Sequence, residues 1–310
     1  EDRPRRTDFE TRRKPTRRAR AKKRILQGTA VLPSFVTLLN GLAGFAAIHL
    51  ATKAAPGSLE VEHLENLRLG AWMVGLAMLF DMLDGRLARM TRRTSDFGGQ
   101  LDSLCDVISF GVAPAVLMLR TIVPLLHGID ALGLEWNLER VVWSVAAVYV
   151  ACTVLRLARF NVENEPDGSS HTKFRGLPSP GAAAAVGALV LLFERLTRLN
   201  QALPDWRTNL WFLTITTCVL LCMTLAAALL MVSRFRYVHL VNHYVHGRRP
   251  FSYLIKLVVI LLACLWQPFA TLALLACGFV LSGPLTSLWR HVRGHRPAGT
   301  TGGSIDRSES

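Results

Sequence analysis

Apolar residues along this chain are gathered into blocks of about twenty, separated by short stretches rich in Arg, Lys, Gly and Pro. Coiled as a helix, a block of that length crosses a hydrocarbon core about 30 Å thick. The pattern predicts spans near 31–52, 69–90, 99–120, 139–160, 179–198, 209–232, 254–268 and 271–289. The expected fold is therefore all-α, a polytopic transmembrane helical bundle of about eight spans. At Gln267-Pro268 the apolar run is interrupted, which marks either the boundary of the last two spans or a kink in one long segment. The expected organisation is a basic N-terminal tail (1–30), a six-helix core (31–232), two further transmembrane helices (233–290) and a disordered tail (291–310).

Composition agrees with a bilayer setting. Of 310 residues, 51% are hydrophobic and only 19% charged, where a soluble domain carries about a quarter. The formal net charge of +14 is unevenly placed: residues 1–24 hold twelve Lys and Arg against four acids. Beside a first span, such a tail sets orientation and touches anionic lipid. No nucleic-acid module follows it, so no nucleic-acid partner is expected. With the N-terminus in the cytoplasm, that side also receives Arg92, Arg93, Lys173, Arg175, Arg234, Arg236, Arg248, Arg249, Arg290 and Arg293. The opposite side receives only Lys53, Arg68, Arg120, Arg140, Arg195, Arg198 and Arg207. Both termini are then cytoplasmic, as an even number of spans requires. The six cysteines all fall in apolar stretches without metal-site spacing and read as small buried residues.

Against this background four carboxylates stand out. Asp81 and Asp84 lie in the second span, Asp102 and Asp106 in the third. Separations of three and four residues put each pair on one helix face. A charge within a span costs several kcal/mol and generally marks function. Four anions share a low-dielectric site only if cations neutralise them. Hard oxygen ligands suit Mg²⁺, Mn²⁺ or Ca²⁺. A diphosphate substrate needs such a site, since the metal offsets its charge; pairing with Arg86, Arg89, Arg92 or Arg93 would be the purely structural reading. Gly85 and Ala88 leave a shallow groove where a base or phosphate approaches the backbone, and Gly98 and Gly99 do the same before Asp102. Taken singly, each small residue serves helix packing equally well.

The stretch DMLDGRLARMTRRTSDFGGQLDSLCD carries D-x2-D-G-x2-A-R-x8-G-x3-D-x3-D. It resembles the signature of the CDP-alcohol phosphatidyltransferase family, matching at Asp81, Asp84, Gly85, Ala88, Arg89, Gly98, Asp102 and Asp106. That resemblance implies an enzyme. Asp81, Asp84, Asp102 and in part Asp106 would hold two divalent cations, Mg²⁺ or Mn²⁺, with Ca²⁺ able to occupy the same ligands. These would clamp the diphosphate of CDP-diacylglycerol, with Gly85, Ala88 and Gly98 along the nucleotide groove and Arg89 supporting its anionic part. Asp106 would be the general base towards the acceptor hydroxyl. Thr37 and Asn40 also match family positions and would reach the nucleotide; Ser34 departs, since many relatives carry Asn after the proline.

LPSFVTLLNGLAGF in the first span, LDSLCDVISFGVAPA, LRLARFNV (Leu155–Val162) and FRGLPSPGAAA (Phe174–Ala184) resemble the serine-accepting branch of that family, in its membrane-integral bacterial and archaeal form. L-serine as acceptor, CMP as product, a homodimer and a cytoplasm-facing site in a bacterial or archaeal inner membrane are implied by that resemblance. A zwitterionic acceptor needs a cation for its carboxylate. Arg156, Arg159, Asn161, Lys173 and Arg175 are candidates, though each cation reads equally as a residue snorkelling to lipid headgroups. The same chemistry on glycerol phosphate, inositol phosphate or choline is the nearest alternative; a divalent-cation transporter is the alternative of another class. His239, His243 and His246 read as an amphipathic interfacial segment, and Trp136, Trp143, Trp206 and Trp211 as an aromatic belt.

Overall fold

The computed structural model describes residues 17–53, 61–91, 96–126, 135–163, 176–201, 206–233, 235 and 251–294. Regular structure among them is helical throughout: α1 (Arg17–Lys53), α2 (Val61–Thr91), α3 (Asp96–Asp106), α4 (Ala113–Leu126), α5 (Glu135–Glu163), α6 (Ser179–Gln201), α7 (Trp206–Val232), α8 (Phe251–Trp266) and α9 (Pro268–Gly294). A π-helical turn, Val107–Val112, joins α3 and α4 into one rod. The eight predicted spans thus correspond to eight rods. Six of them are long and apolar enough to cross a bilayer, and the chain is an integral membrane protein.

The helices outrun the apolar blocks, because hydropathy registers only their lipid-compatible parts. α2 begins at Val61 rather than near 69, and its polar first turns are sheltered by partners. His63 is within hydrogen-bonding distance of Arg120 O on α4 (3.0 Å), and Arg120 Nε donates to Ala51 O at the end of α1 (3.2 Å). Glu65 lies 3.5 Å from Arg198 of α6, which also pairs with Glu194 one turn before it. Glu194 is only 1% exposed. Polar side chains buried in a membrane bundle need such partners, and these tie α1, α2, α4 and α6 together at the end opposite the aspartates.

Small residues bring the rods close. α1 meets α2 along Ala43, Ala47 and Ala51, opposite Leu67, Ala71, Val74 and Ala77. α6, with Ala182, Ala183, Ala185, Gly187 and Ala188 buried, runs through the middle between α2, α7 and α9. This is the small-residue packing that a bilayer favours in the absence of a hydrophobic drive between helices. α8 and α9 follow each other with only Gln267 between them. The Gln267 N–H bonds Ala263 O (2.8 Å) and the Thr271 N–H bonds Gln267 O (3.0 Å), so the chain passes from one to the other without a loop. The apolar side chains of α8 from Leu257 to Trp266 are exposed, as suits contact with lipid.

The π turn has a local cause. Pro114 has no N–H to donate to Phe110 O, its partner in an α-helical ladder. The Tyr149 hydroxyl of α5 donates there instead (3.1 Å), and the Ala113 N–H reaches Ile108 O in π register. Tyr149 and Phe110 are both fully buried. The turn begins immediately after Asp106, so α5 holds in place the segment that ends on that carboxylate.

Candidate active site

The C-terminal half of α2 and the whole of α3 carry the carboxylates. One oxygen each from Asp81, Asp102 and Asp106 lie within 4.8 Å of one another. Asp84 adjoins Asp81 and Asp102 electrostatically and is 5% exposed. Two helices therefore bring all four side chains to one place, as their spacing predicts. No ion pair joins them to Arg86 or Arg89 among the described residues, and both arginines are exposed; Arg92 and Arg93 lie outside the described residues. Asp84 Oδ2 and Asp102 Oδ1 are buried with no hydrogen-bond partner. Buried carboxylate oxygens without protein partners, set among other carboxylates, are what a hard divalent cation neutralises. The donor set fits that group.

α1 forms the wall behind them. Thr37 is buried, donates to Pro33 O (3.1 Å) and lies within hydrogen-bonding reach of Asp84. Asn40 Nδ2 donates to Asp106 Oδ1 (3.0 Å), and Ser109 Oγ of the π turn donates to Asn40 O (2.8 Å). Gly41 and Gly44 permit this approach. A Cβ on Gly41 would stand 2.9 Å from Cys105 Sγ, and one on Gly44 2.6 Å from Ser109 Cα. Gly85 differs: nothing lies within 4 Å of a Cβ built there, so its missing side chain opens space instead of admitting a neighbouring helix. Gly99 is open in the same way, while Ala88 and Gly98 are half-buried.

α5 and α6 close the remaining side. Arg156 of α5 is half-buried next to Asp106, and its Nη1 donates to Ser179 Oγ at the start of α6 (2.9 Å). Its Nε is buried and unpartnered. Asn161 and Ser103 exchange hydrogen bonds across α5 and α3 at 2.9 and 3.1 Å. Arg159, three residues from Arg156, is exposed, so the two arginines occupy different surroundings. Lys173 and Arg175 lie outside the described residues, as do His239, His243 and His246. Sequence reasoning did not single out Ser103, Ser109 or Ser179. The last had a signal: a serine between Pro178 and Pro180, after Gly176 with its positive φ of 92°, marks a helix start. The Gly176 and Leu177 N–H groups bond Phe235 O (2.8 Å) and Leu230 O (3.0 Å), docking that start on the end of α7.

Residues 30–208, which carry every side chain of this site, match the family model for CDP-alcohol phosphatidyltransferases. The chain belongs to the CDP-alcohol phosphatidyltransferase family. Among relatives of this chain is a CDP-diacylglycerol–serine O-phosphatidyltransferase of Mycobacterium tuberculosis, 32% identical over 188 residues, or 59% of this chain and 54% of the relative. One of the same name from Helicobacter pylori is 33% identical over 156 residues, covering 50% and 60%. An archaetidylserine synthase of Methanothermobacter thermautotrophicus is 37% identical over 162 residues, covering 52% and 58%. The chain thus spans between half and three fifths of the length of these relatives.

Proposed function

We propose that this protein transfers the phosphatidyl group of CDP-diacylglycerol to L-serine, forming phosphatidylserine and releasing CMP. The carrying observation is the meeting of Asp81, Asp102 and Asp106 within 4.8 Å, with Arg156 beside Asp106. The relatives named for serine transfer support the choice of acceptor.

In this reading Asp81, Asp84, Asp102 and in part Asp106 hold two divalent cations, Mg²⁺ or Mn²⁺, which offset the charge of the diphosphate and of the departing CMP. The open face at Gly85, with Ala88, Gly98 and Thr37 near it, receives the nucleotide, and Arg89 attends its anionic part. Asp106 accepts the proton of the serine hydroxyl as that oxygen forms its bond to the phosphorus bearing the diacylglycerol. The bond from this phosphorus to the CMP oxygen breaks, and CMP leaves with the electron pair. Arg156 supplies the cation for the acceptor carboxylate through its unpartnered Nε edge, with Asn161, Arg159, Lys173 and Arg175 as further candidates for acceptor binding.

The catalytic unit is taken as residues 31–232, with 233–290 as an addition, and the active protein as a homodimer. The charge distribution favours a cytoplasm-facing site in a bacterial or archaeal inner membrane. CMP release by purified protein, measured against serine, glycerol phosphate, inositol phosphate and choline, tests the proposal. Release with serine alone is the expected result. Release only with another alcohol, or liposomal metal uptake without CMP formation, would overturn it.

A further inference from the structure

Asn40 matches a family position, and from sequence it was expected to reach the nucleotide. Its surroundings are of another kind. The side chain is 0% exposed, so no face of it is open to a ligand. One of its amide hydrogens is given to Asp106 Oδ1 at 3.0 Å, across 66 residues of sequence. The backbone carbonyl of Asn40 accepts from Ser109 Oγ, three residues beyond Asp106. The two bonds clamp one stretch of α1 to both ends of the segment from Asp106 to Ser109.

This matters because an aspartate carboxylate turns broadly about its last torsion. When one oxygen is held by an amide donor, the direction of the other follows. The carboxylate so held has an oxygen within 4.8 Å of oxygens of Asp81 and Asp102, and Arg156 is within electrostatic reach of it. The Gly41 and Gly44 contacts fix the depth of the clamp, since α1 could not come so near with side chains there. Asp106 itself ends α3 where the ladder changes to π register. Its backbone is regular α-helix (φ −63°, ψ −37°), so what the anchor fixes is the side-chain carboxylate.

We propose that Asn40 is a positioning residue for Asp106: its amide holds one carboxylate oxygen so that the other faces the acceptor hydroxyl. This rests on the phosphatidyltransferase reading, in which Asp106 takes the acceptor proton. Asn40 acts on turnover through Asp106 and contributes nothing of its own to nucleotide affinity.

The test compares wild type with Asn40→Leu, which keeps the branched shape and removes the donor, and with Asn40→Ala, which removes the donor without adding bulk. Three quantities are measured on detergent-purified protein: kcat for CMP release with serine, Kd for CDP with Mn²⁺ present, and the apparent melting temperature. A carboxylate misplaced by about 1 Å costs on the order of a hundredfold in rate. The expected result is a kcat about a hundredfold lower, with Kd for CDP within about twofold of wild type. A merely structural role would lower Tm and weaken CDP binding together, and a nucleotide contact would raise Kd for CDP at an unchanged Tm. Either outcome, or a variant with wild-type kcat, overturns the inference. A wild-type protein that released no CMP with serine would instead sink the phosphatidyltransferase reading beneath it.

Discussion

Two glycines on neighbouring helices should respond to the same substitution in opposite ways. In Gly44→Ala the new methyl would stand 2.6 Å from Ser109 Cα and 2.9 Å from Ser109 N. Carbon atoms in contact rest about 3.5–4.0 Å apart, so α1 must withdraw by about 1 Å. Overpacking of this kind costs about 1–3 kcal/mol. Alanine recovers about 0.8–1 kcal/mol of helix propensity over glycine, leaving a net loss of roughly 0–2 kcal/mol. The functional loss should be larger. Withdrawal lengthens the Ser109–Asn40 and Asn40–Asp106 bonds, now 2.8 and 3.0 Å, and a 1 Å error at a reacting group costs about a hundredfold. At Gly85 nothing lies within 4 Å of the added methyl. Gly85→Ala should therefore melt no lower than wild type while raising KM for CDP-diacylglycerol. Apparent melting temperature and CMP-release kinetics, measured on both variants, check the pair. Wild-type activity in Gly44→Ala, or a clear drop in Tm for Gly85→Ala with its KM unchanged, would refute the reasoning.

Other outcomes follow from the same geometry. Asp106→Asn should lower kcat by 10²–10⁴-fold, the usual worth of a general base, while CDP-lipid still binds; near-full activity would remove the base assignment. Arg156→Lys replaces a planar fork by a point charge and loses the bond to Ser179; KM for serine should rise about tenfold with KM for the lipid unchanged, as initial rates would record. Tyr149→Phe leaves Phe110 O without its hydroxyl partner and should cost about 1–3 kcal/mol in stability, read by denaturation in detergent. Chelation by EDTA should stop CMP release, and Mg²⁺ or Mn²⁺ should restore it.

The rods and the four aspartates were legible because each rests on a local rule. A twenty-residue apolar block has few ways to exist other than as a helix, and carboxylates three or four apart share a face whatever surrounds them. Helix ends were less legible. The polar turns around His63 and Glu65 are helical because Arg120 and Arg198 meet them across the bundle, and sequence does not show that distant pairing. The same holds for Asn40, whose family match pointed to the nucleotide while packing turned it to Asp106. Arg156 and Arg159 share a helical spacing, yet Arg156 is half-buried and bonds Ser179 at the start of α6, while Arg159 is exposed. The π turn needed two facts read together, Pro114 in α4 and a hydroxyl on α5, and only the fold brings them side by side.

Calorimetric titration of CDP into purified protein bears most directly on the claim that converging aspartates grip a nucleotide diphosphate through divalent cations. CDP should bind when Mn²⁺ is present, fail to bind after chelation, and fail in Asp81→Asn and Asp102→Asn even with Mn²⁺ supplied. Equal CDP affinity with and without metal, or undiminished binding by both variants, would contradict the account at its centre.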